Sequence, residues 1–190
     1  MYCLCMVTKE EQKLIDGCIQ GKTESQKQLF LEYGPLVKGI CLRYAASPEE
    51  GEDLFHDVFI FILTHFKDYK SITSLKGWLY RISINKAVDY YRKNRSARFT
   101  PIENEEFVVG TPEAPIPEVL SMDQLVAFIN ELPDRQRTAF NLFAIDGYPQ
   151  EEIGQMIGET PANVRTLVFR AKKQLQKRIQ NYLNHEEFEL

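Results

Sequence analysis

The chain has 190 residues, which is enough for one large domain or two small ones, each with a modest core. Hydrophobic residues make up 44 % and charged residues 26 % of it, the balance of a globular protein, and no apolar run approaches the roughly 18 residues of a membrane span. The first residues lack the basic and apolar segments of a secretory signal, so we expect a cytoplasmic protein with no membrane insertion.

The spacing of cysteines and histidines does not indicate a metal site. None of the four cysteines forms a Cys-x-x-Cys pair, and the three histidines are scattered. The sequence has no Gly-rich phosphate-binding loop ending in Lys-Ser/Thr and no pattern typical of an activated nucleophile. We therefore expect no metal, no cofactor and no enzymatic activity.

The net charge of −4 conceals charges that are sorted into blocks. An acidic block contains Glu49, Glu50, Glu52, Asp53 and Asp57. A basic block contains Arg81, Lys86, Arg92, Lys93, Arg95 and Arg98, and a second set of cations follows Pro161. Two basic segments separated by acidic stretches indicate two contacts with DNA and at least one contact with another protein.

In chain order, the first half predicts four helices. The first covers 8–20, and the second covers 25–46, where Gly34-Pro35 predicts a kink or two separate pieces. Ser47 and Pro48 suit the cap and first residue of a third helix that ends near Phe66. The outer side of this helix is acidic. That is typical either of a solvated surface or of a docking surface for a basic partner, and composition does not decide between them.

The fourth predicted helix runs from Trp78 to about Arg95, and its polar face carries the only tryptophan of the chain. Arg81 and Asn85 share that face with Trp78 at helical spacing. Aromatic side chains among cations can hold unstacked bases and phosphates, as in proteins that bind single strands. The alternative is that Trp78 folds back onto the preceding loop.

The segment 96–119 is predicted to be a linker, because its four prolines prevent a continuous helix. Its glutamates repel one another and favour an extended chain. We divide the sequence into five parts: an N-terminal extension with the first helix (1–22), a first domain (23–95), the linker (96–119), a second domain (120–183) and an acidic tail (184–190). The predicted fold class is all-α, with two small helical domains.

The second domain contains a predicted helix-turn-helix. Gly158 can take the left-handed conformation that ends one helix, and Thr160 with Pro161 can begin the next. This second helix has one apolar face, and from Pro161 to Ile179 it carries six cations and no carboxylate. An apolar side and a cationic side are typical of a helix that enters the major groove. The alternative is a basic helix that only faces solvent.

Three motifs in this order resemble a bacterial RNA polymerase sigma factor of the sigma-70 family, in its two-domain extracytoplasmic-function group. EEGEDLFHDVFIFIL is similar to the segment that docks on the polymerase clamp, and LKGWLYRISINKAVDYYRKNR to the segment that captures and melts the minus-ten promoter element. LPDRQRTAFNLFAIDGYPQEEIGQMIGETPANVRTLVFRAKKQL is similar to the segment that recognises the minus-thirty-five element. The chain departs from the family pattern at His56-Asp57, where Gln-Glu is usual, at Pro149, where a serine or threonine cap is common, and at Gly154, where alanine is usual.

The resemblance implies a transcription initiation factor that binds core RNA polymerase and promoter DNA, as duplex and as non-template single strand. Residues 23–95 would then be sigma domain 2, and residues 120–183 sigma domain 4. It assigns polymerase docking to Glu52, Asp53, His56 and Asp57. It assigns minus-ten contacts to Trp78, Arg81, Asn85, Tyr90, Arg92 and Lys93, with a flipped base in the loop 68–76. It assigns minus-thirty-five contacts to Arg165, Thr166, Phe169, Arg170 and Lys173. An inhibitory anti-sigma factor is a further candidate partner.

Two other functions are consistent with parts of the sequence. An ordinary regulator would bind duplex DNA without polymerase, commonly as a dimer on a two-fold site, but this chain has two unlike basic surfaces. An interaction protein that titrates another factor would bind a partner tightly without supporting promoter-dependent transcription.

Overall fold

The structure is a computed structural model that describes residues 8–68, 74–94 and 120–186. Within these ranges all regular structure is helical, which confirms the all-α prediction. The first helices are α1 (Lys9–Ile19), α2 (Thr23–Tyr44), α3 (Pro48–His65) and α4 (Leu75–Asn94). The later ones are α5 (Met122–Asn130), α6 (Asp134–Phe140), α7 (Gln150–Ile157) and α8 (Pro161–Glu186), and a π-helical segment, Asn141–Ile145, follows α6.

The chain divides into two compact units, Met1–Tyr90 and Tyr91–Leu190. The predicted linker 96–119 and much of the predicted base-holding loop lie outside the described residues, as do Arg95, Arg98 and the end of the acidic tail. The precise domain limits given above remain predictions. None of the described helices is both long and apolar enough to cross a membrane.

Local capping fixes where the helices begin. Thr8 and Glu11 form a reciprocal capping box at the start of α1, with Thr8 Oγ1 accepting from the Glu11 amide at 3.1 Å. Ser47 caps α3, and Pro48 occupies the first helical position, as its sequence predicts. Pro35 lies inside a continuous 22-residue α2, so the predicted division into two pieces is wrong. Pro35 is exposed, and the carbonyl that loses its donor there can bind water instead.

The core of the first unit lies between α1, α2, α3 and α4. Predicted inward residues such as Leu54, Val58, Ile84 and Val88 are buried. Gly51 permits the close approach of α2 and α3, because a Cβ built there would lie 2.6 Å from Leu42 Cδ2. The other buried residues of this core include Cys18 and Cys41, and burial raises the pKa of these thiols to about 11 and about 12. Both are therefore packing residues that stay protonated near neutral pH.

The core of the second unit is built around the long helix α8. Its apolar face lies against α5, α6 and α7, and one buried cluster comprises Phe128, Ile129, Leu132, Ala171 and Leu175. Arg178 donates to both carboxylate oxygens of Glu131, at 2.8 and 3.2 Å, which holds α8 to the end of α5. The helix of 26 residues, about 39 Å long, continues past Ile179, where the cationic pattern ends.

Candidate nucleic-acid interface and docking face

The outer face of α3 carries the residues predicted to dock on polymerase. Asp53, His56 and Asp57 are exposed, and no ion pair to either aspartate occurs within the described part of the chain. Glu52 differs, because its carboxylate lies 2.6 Å from Lys38 Nζ of α2. Ile60, which no sequence pattern indicated, lies one helical turn beyond His56 and Asp57 and is 61 % exposed. We call Asp53, His56, Asp57 and Ile60 the docking face.

Two side chains of α4 contact α3: Tyr90, one of the predicted minus-ten contacts, and Lys86, part of the basic block. The Tyr90 hydroxyl donates to Glu50 Oε2 at 2.8 Å. Lys86 Nζ lies 3.5 Å from the centroid of the Phe61 ring, within the range of a cation–π contact. These contacts join α3 to α4, so the docking face and the polar face of α4 lie on two helices that contact each other.

The polar face of α4 has the composition that its sequence predicts. Arg81, Asn85, Arg92 and Lys93 are all exposed there. Trp78 is only partly buried, and its ring centroid lies 5.1 Å from that of Phe66, at the end of α3. The tryptophan is therefore anchored on the side toward Phe66 while part of its surface remains open to a ligand. Its packing partner is Phe66 at the end of α3, whereas the predicted alternative is the loop before α4, most of which lies outside the described residues.

The turn between α7 and α8 is formed as its residues predict. Gly158 has φ 71° and ψ 43°, the left-handed conformation that ends α7. Thr160 Oγ1 then accepts from the Asn163 amide at 3.2 Å, and Pro161 is the first residue of α8. Pro149 precedes α7 and forms no side-chain cap there.

Gly154 in α7 is required by the close packing of the turn. A Cβ built at this position would lie 2.7 Å from the carbonyl oxygen of Glu159, a backbone atom. The same region is tied by a hydrogen bond from the Glu159 amide to the Gly154 carbonyl at 2.9 Å. The turn therefore lies too close to α7 for an alanine unless the backbone shifts.

The outer side of α8 presents the residues predicted to recognise the upstream element. Arg165 and Lys173 are exposed, whereas Thr166, Phe169 and Arg170 are partly buried. Arg165 Nε donates to Gln150 Oε1 of α7 at 3.5 Å, so this guanidinium lies across the two helices of the motif. The apolar residues Val164, Leu167, Val168, Ala171 and Leu175 are buried on the opposite side.

The six cations of α8 do not act as one group. Lys172 Nζ lies 5.7 Å from the Phe143 ring centroid, and Arg178 is paired with Glu131. Lys177, like Lys173, is exposed. The six positive charges of the helix overestimate the surface available to phosphates, because at least three of the cations, Arg165, Lys172 and Arg178, contact their own domain.

A chain of polar contacts supports the first turn of α8. No sequence pattern indicated these contacts. Arg135 of α6 forms an ion pair with Glu159, whose side chain is only 5 % exposed. Glu159 in turn accepts from Asn163 Nδ2 at 3.2 Å. Arg137, also in α6, donates to the carbonyls of Asn130 and Leu132 at the end of α5. Only the arginines in LPDRQR offered a sequence signal, and their partners are separated from them in the chain.

Comparisons with known proteins agree with this architecture. Residues 29–97 match the family model described as Sigma-70 region 2, and residues 122–175 match the one described as Sigma-70, region 4. Together the two matches span about two thirds of the chain.

Two relatives match over nearly their whole length. The ECF RNA polymerase sigma-E factor of Haemophilus influenzae is 29 % identical, over 90 % of this chain and 95 % of that protein. The RNA polymerase sigma-H factor of Pseudomonas aeruginosa is 26 % identical, over 94 % of this chain and 98 % of that protein. A solved structure of the sigma factor RpoE with the anti-sigma factor NepR from Bartonella quintana matches with a TM-score of 0.49 and 20 % identity, covering 81 % of this chain and 96 % of that one. The protein belongs to the sigma-70 family of RNA polymerase sigma factors, in its extracytoplasmic-function group, whose members direct RNA polymerase to promoters for the initiation of transcription.

Proposed function

We propose that this sigma factor binds core RNA polymerase through the docking face of α3, contacts the minus-ten element through α4, and contacts the minus-thirty-five element through α8. The observation that carries the proposal is the presence of two unlike cationic helix surfaces, one on α4 and one on α8, together with a separate anionic face on α3. Each surface has a chemistry suited to a different partner.

The docking face suits a basic protein surface with an apolar centre. Asp53 and Asp57 supply negative charge, and Ile60 supplies an exposed apolar side chain beside them. Charged groups steer and orient an encounter, whereas a desolvated apolar contact at the centre of an interface carries much of the affinity. Glu52 contributes less charge to this face, because Lys38 already pairs with it.

The polar face of α4 suits the non-template strand of an opened promoter. Arg81, Arg92 and Lys93 can contact phosphates, and Asn85 lies between the arginines at helical spacing. The open part of Trp78 can stack on a base, since base stacking on an aromatic ring is tolerant of sequence. Strand opening on such a surface uses binding energy, with no nucleotide hydrolysis and no catalytic group. The loop that would hold a flipped base lies mostly outside the described residues.

The outer side of α8 suits the major groove of duplex DNA. Residues near the start of the second helix of a helix-turn-helix lie closest to the bases. Arg165, Thr166, Phe169 and Arg170 occupy these positions, and Lys173 and Lys177 continue the same side toward the phosphates. Because its partner is RNA polymerase, we place the protein in the cytoplasm. An anti-sigma factor remains a candidate partner that the resemblance implies.

Footprinting and run-off transcription test this function together. The full-length protein is mixed with purified core polymerase and a genomic fragment library, and transcripts that depend on the protein are mapped. We expect new start sites, each preceded by an asymmetric, bipartite protected region. A symmetric protected site that forms equally well without polymerase would instead indicate an ordinary regulator, and tight partner binding without transcription would indicate a titrating protein.

A further inference from the structure

Asn163 lies in the first turn of α8, and its side chain is exposed. Its backbone amide is bonded to Thr160 Oγ1, and its side-chain Nδ2 donates to Glu159 Oε2 at 3.2 Å. The residue also lies three positions before Thr166 and seven before Arg170, so it shares a helix side with both. A held amide at this position is unusual among exposed side chains, which are ordinarily free to rotate.

The contact with Glu159 fixes which way the amide points. An ionised carboxylate only accepts hydrogen bonds, so the nitrogen of the amide faces it and the amide oxygen does not. A flipped amide would place its oxygen against the carboxylate, where the two repel. The nitrogen has two hydrogens, and Glu159 needs only one of them. The amide therefore keeps one N–H donor and its Oδ1 acceptor for another partner.

Glu159 is itself held from the opposite side. Arg135 of α6 forms an ion pair with the carboxylate, and both side chains are largely buried, at 15 % and 5 % exposure. The backbone of the turn is also fixed, since Gly154 lies against the Glu159 carbonyl. The orientation of Asn163 is thus set by a series of contacts that begins in α6 and does not involve DNA.

We propose that Asn163 recognises an adenine in the major groove of the upstream promoter element, with Glu159 and Arg135 as positioning residues. Adenine presents an acceptor, N7, beside a donor, the N6 amino group, and a side-chain amide matches this pair with one N–H and one oxygen. Those are the two groups that Asn163 keeps available. This inference rests on the proposed function of α8 and adds a specificity-determining residue to it.

The test uses the full-length protein in complex with core polymerase and a promoter library whose upstream element is randomised. Bound DNA is sequenced for the wild type, for Asn163→Ala and for Asn181→Ala. Asn181 is an exposed amide on the same helix, about 27 Å further along, and serves as the matched control. We expect Asn163→Ala to lower the preference for adenine at one position by about 5- to 150-fold and to leave the other positions unchanged. Asn181→Ala should match the wild type.

A positioning role for Glu159 has its own readout. Glu159→Gln no longer forces the nitrogen of Asn163 toward the turn, so preference at the same base pair should fall. In the double variant with Asn163→Ala, the second change should cause no further loss there, because both act through one contact. A purely structural role for Glu159 would instead lower binding to every sequence alike. Asn163→Ala keeps the backbone bond to Thr160 and favours helix, so we expect the fold to be retained, and circular dichroism of the variant checks this.

Three results would overturn the inference. Unchanged base preference in Asn163→Ala would remove the residue from recognition while leaving the proposed function intact. A uniform loss of affinity at all sequences would make Asn163 a phosphate contact. A wild-type protein with no preference anywhere in the upstream element would remove the proposed role of α8 as well.

Discussion

Tyr90 and Glu50 join α4 to the first turn of α3 through a hydrogen bond of 2.8 Å between the tyrosine hydroxyl and Glu50 Oε2. The oxygen that donates this hydrogen bond can still accept one, so the contact with Glu50 does not exclude a contact with DNA. The resemblance placed Tyr90 among the minus-ten contacts, and the contact with Glu50 offers a structural role beside that proposal.

Tyr90→Phe separates the two roles. Loss of a hydrogen bond to a charged group should lower the free energy of unfolding by about 1.5–3 kcal/mol, as measured by denaturant titration. Promoter opening below the unfolding temperature should stay at the wild-type level. Asn85→Ala is the comparison, since this exposed residue has the opposite expectation: unchanged stability and impaired opening. Normal stability with lost opening in Tyr90→Phe would place the hydroxyl on DNA.

The docking face gives a second prediction. Replacing Asp53 and Asp57 together with lysine should weaken binding to core polymerase by about 2–5 kcal/mol, because two attractions become repulsions. Glu52→Gln should have a smaller effect, since Lys38 already neutralises that carboxylate. Binding is measured by titration of labelled protein with core polymerase, and circular dichroism verifies the fold. Equal co-purification of the double variant and the wild type would remove the assignment of this face.

Two glycines should respond to alanine with opposite signs. At Gly154 a Cβ would lie 2.7 Å from a backbone carbonyl, and overpacking of this kind costs about 1–3 kcal/mol. That exceeds the roughly 1 kcal/mol that alanine contributes to helix stability. Gly39 in α2 has no atom within 4 Å of its added Cβ, so Gly39→Ala should be stabilising by up to about 1 kcal/mol. Thermal unfolding of both variants checks the prediction. A stabilised Gly154→Ala variant would show that the backbone of the turn shifts at little cost in free energy.

Cations along α8 should divide into two classes. If each arginine contacts a base, Arg165→Ala or Arg170→Ala should weaken DNA binding by about 1–3 kcal/mol and relax the base preference at one base pair. Lys173→Ala or Lys177→Ala should weaken binding to all sequences alike and reduce the salt dependence by about one counterion. Equilibrium binding of the polymerase complex at several salt concentrations distinguishes them. If all four variants behaved alike, the helix would be oriented differently in the groove.

Local features of this chain were predictable from sequence, whereas contacts across long separations were not. Capping at Ser47, the left-handed Gly158 and the polar face of α4 follow from residues within a few positions of one another. The bond from Tyr90 to Glu50 spans 40 residues, and the pairing of Arg135 with Glu159 spans 24. No periodicity encodes such a pair, so neither contact was predicted. Pro35 is the opposite case, since this residue taken alone predicts a break in the helix. The helix α2 nevertheless continues through Pro35, with buried residues both before and after it.

Promoter opening is the most direct test of the central claim that α4 holds an unpaired strand. The contact between Trp78 and Phe66 makes a stability control necessary, so circular dichroism is recorded for each variant. A residue that touches only duplex phosphate matters equally on intact and pre-opened DNA. A residue that holds an unpaired base contributes only after the strands separate, by about 1–3 kcal/mol per stacked base.

Permanganate reactivity of the minus-ten bases is therefore measured with polymerase and Trp78→Ala or Asn85→Ala, on a duplex promoter and on one whose minus-ten bases are mismatched. We expect both variants to be folded and to open the duplex promoter poorly. They should recover part of their activity on the mismatched template, where unpairing has already occurred. Folded variants that open the duplex promoter as well as the wild type would contradict it.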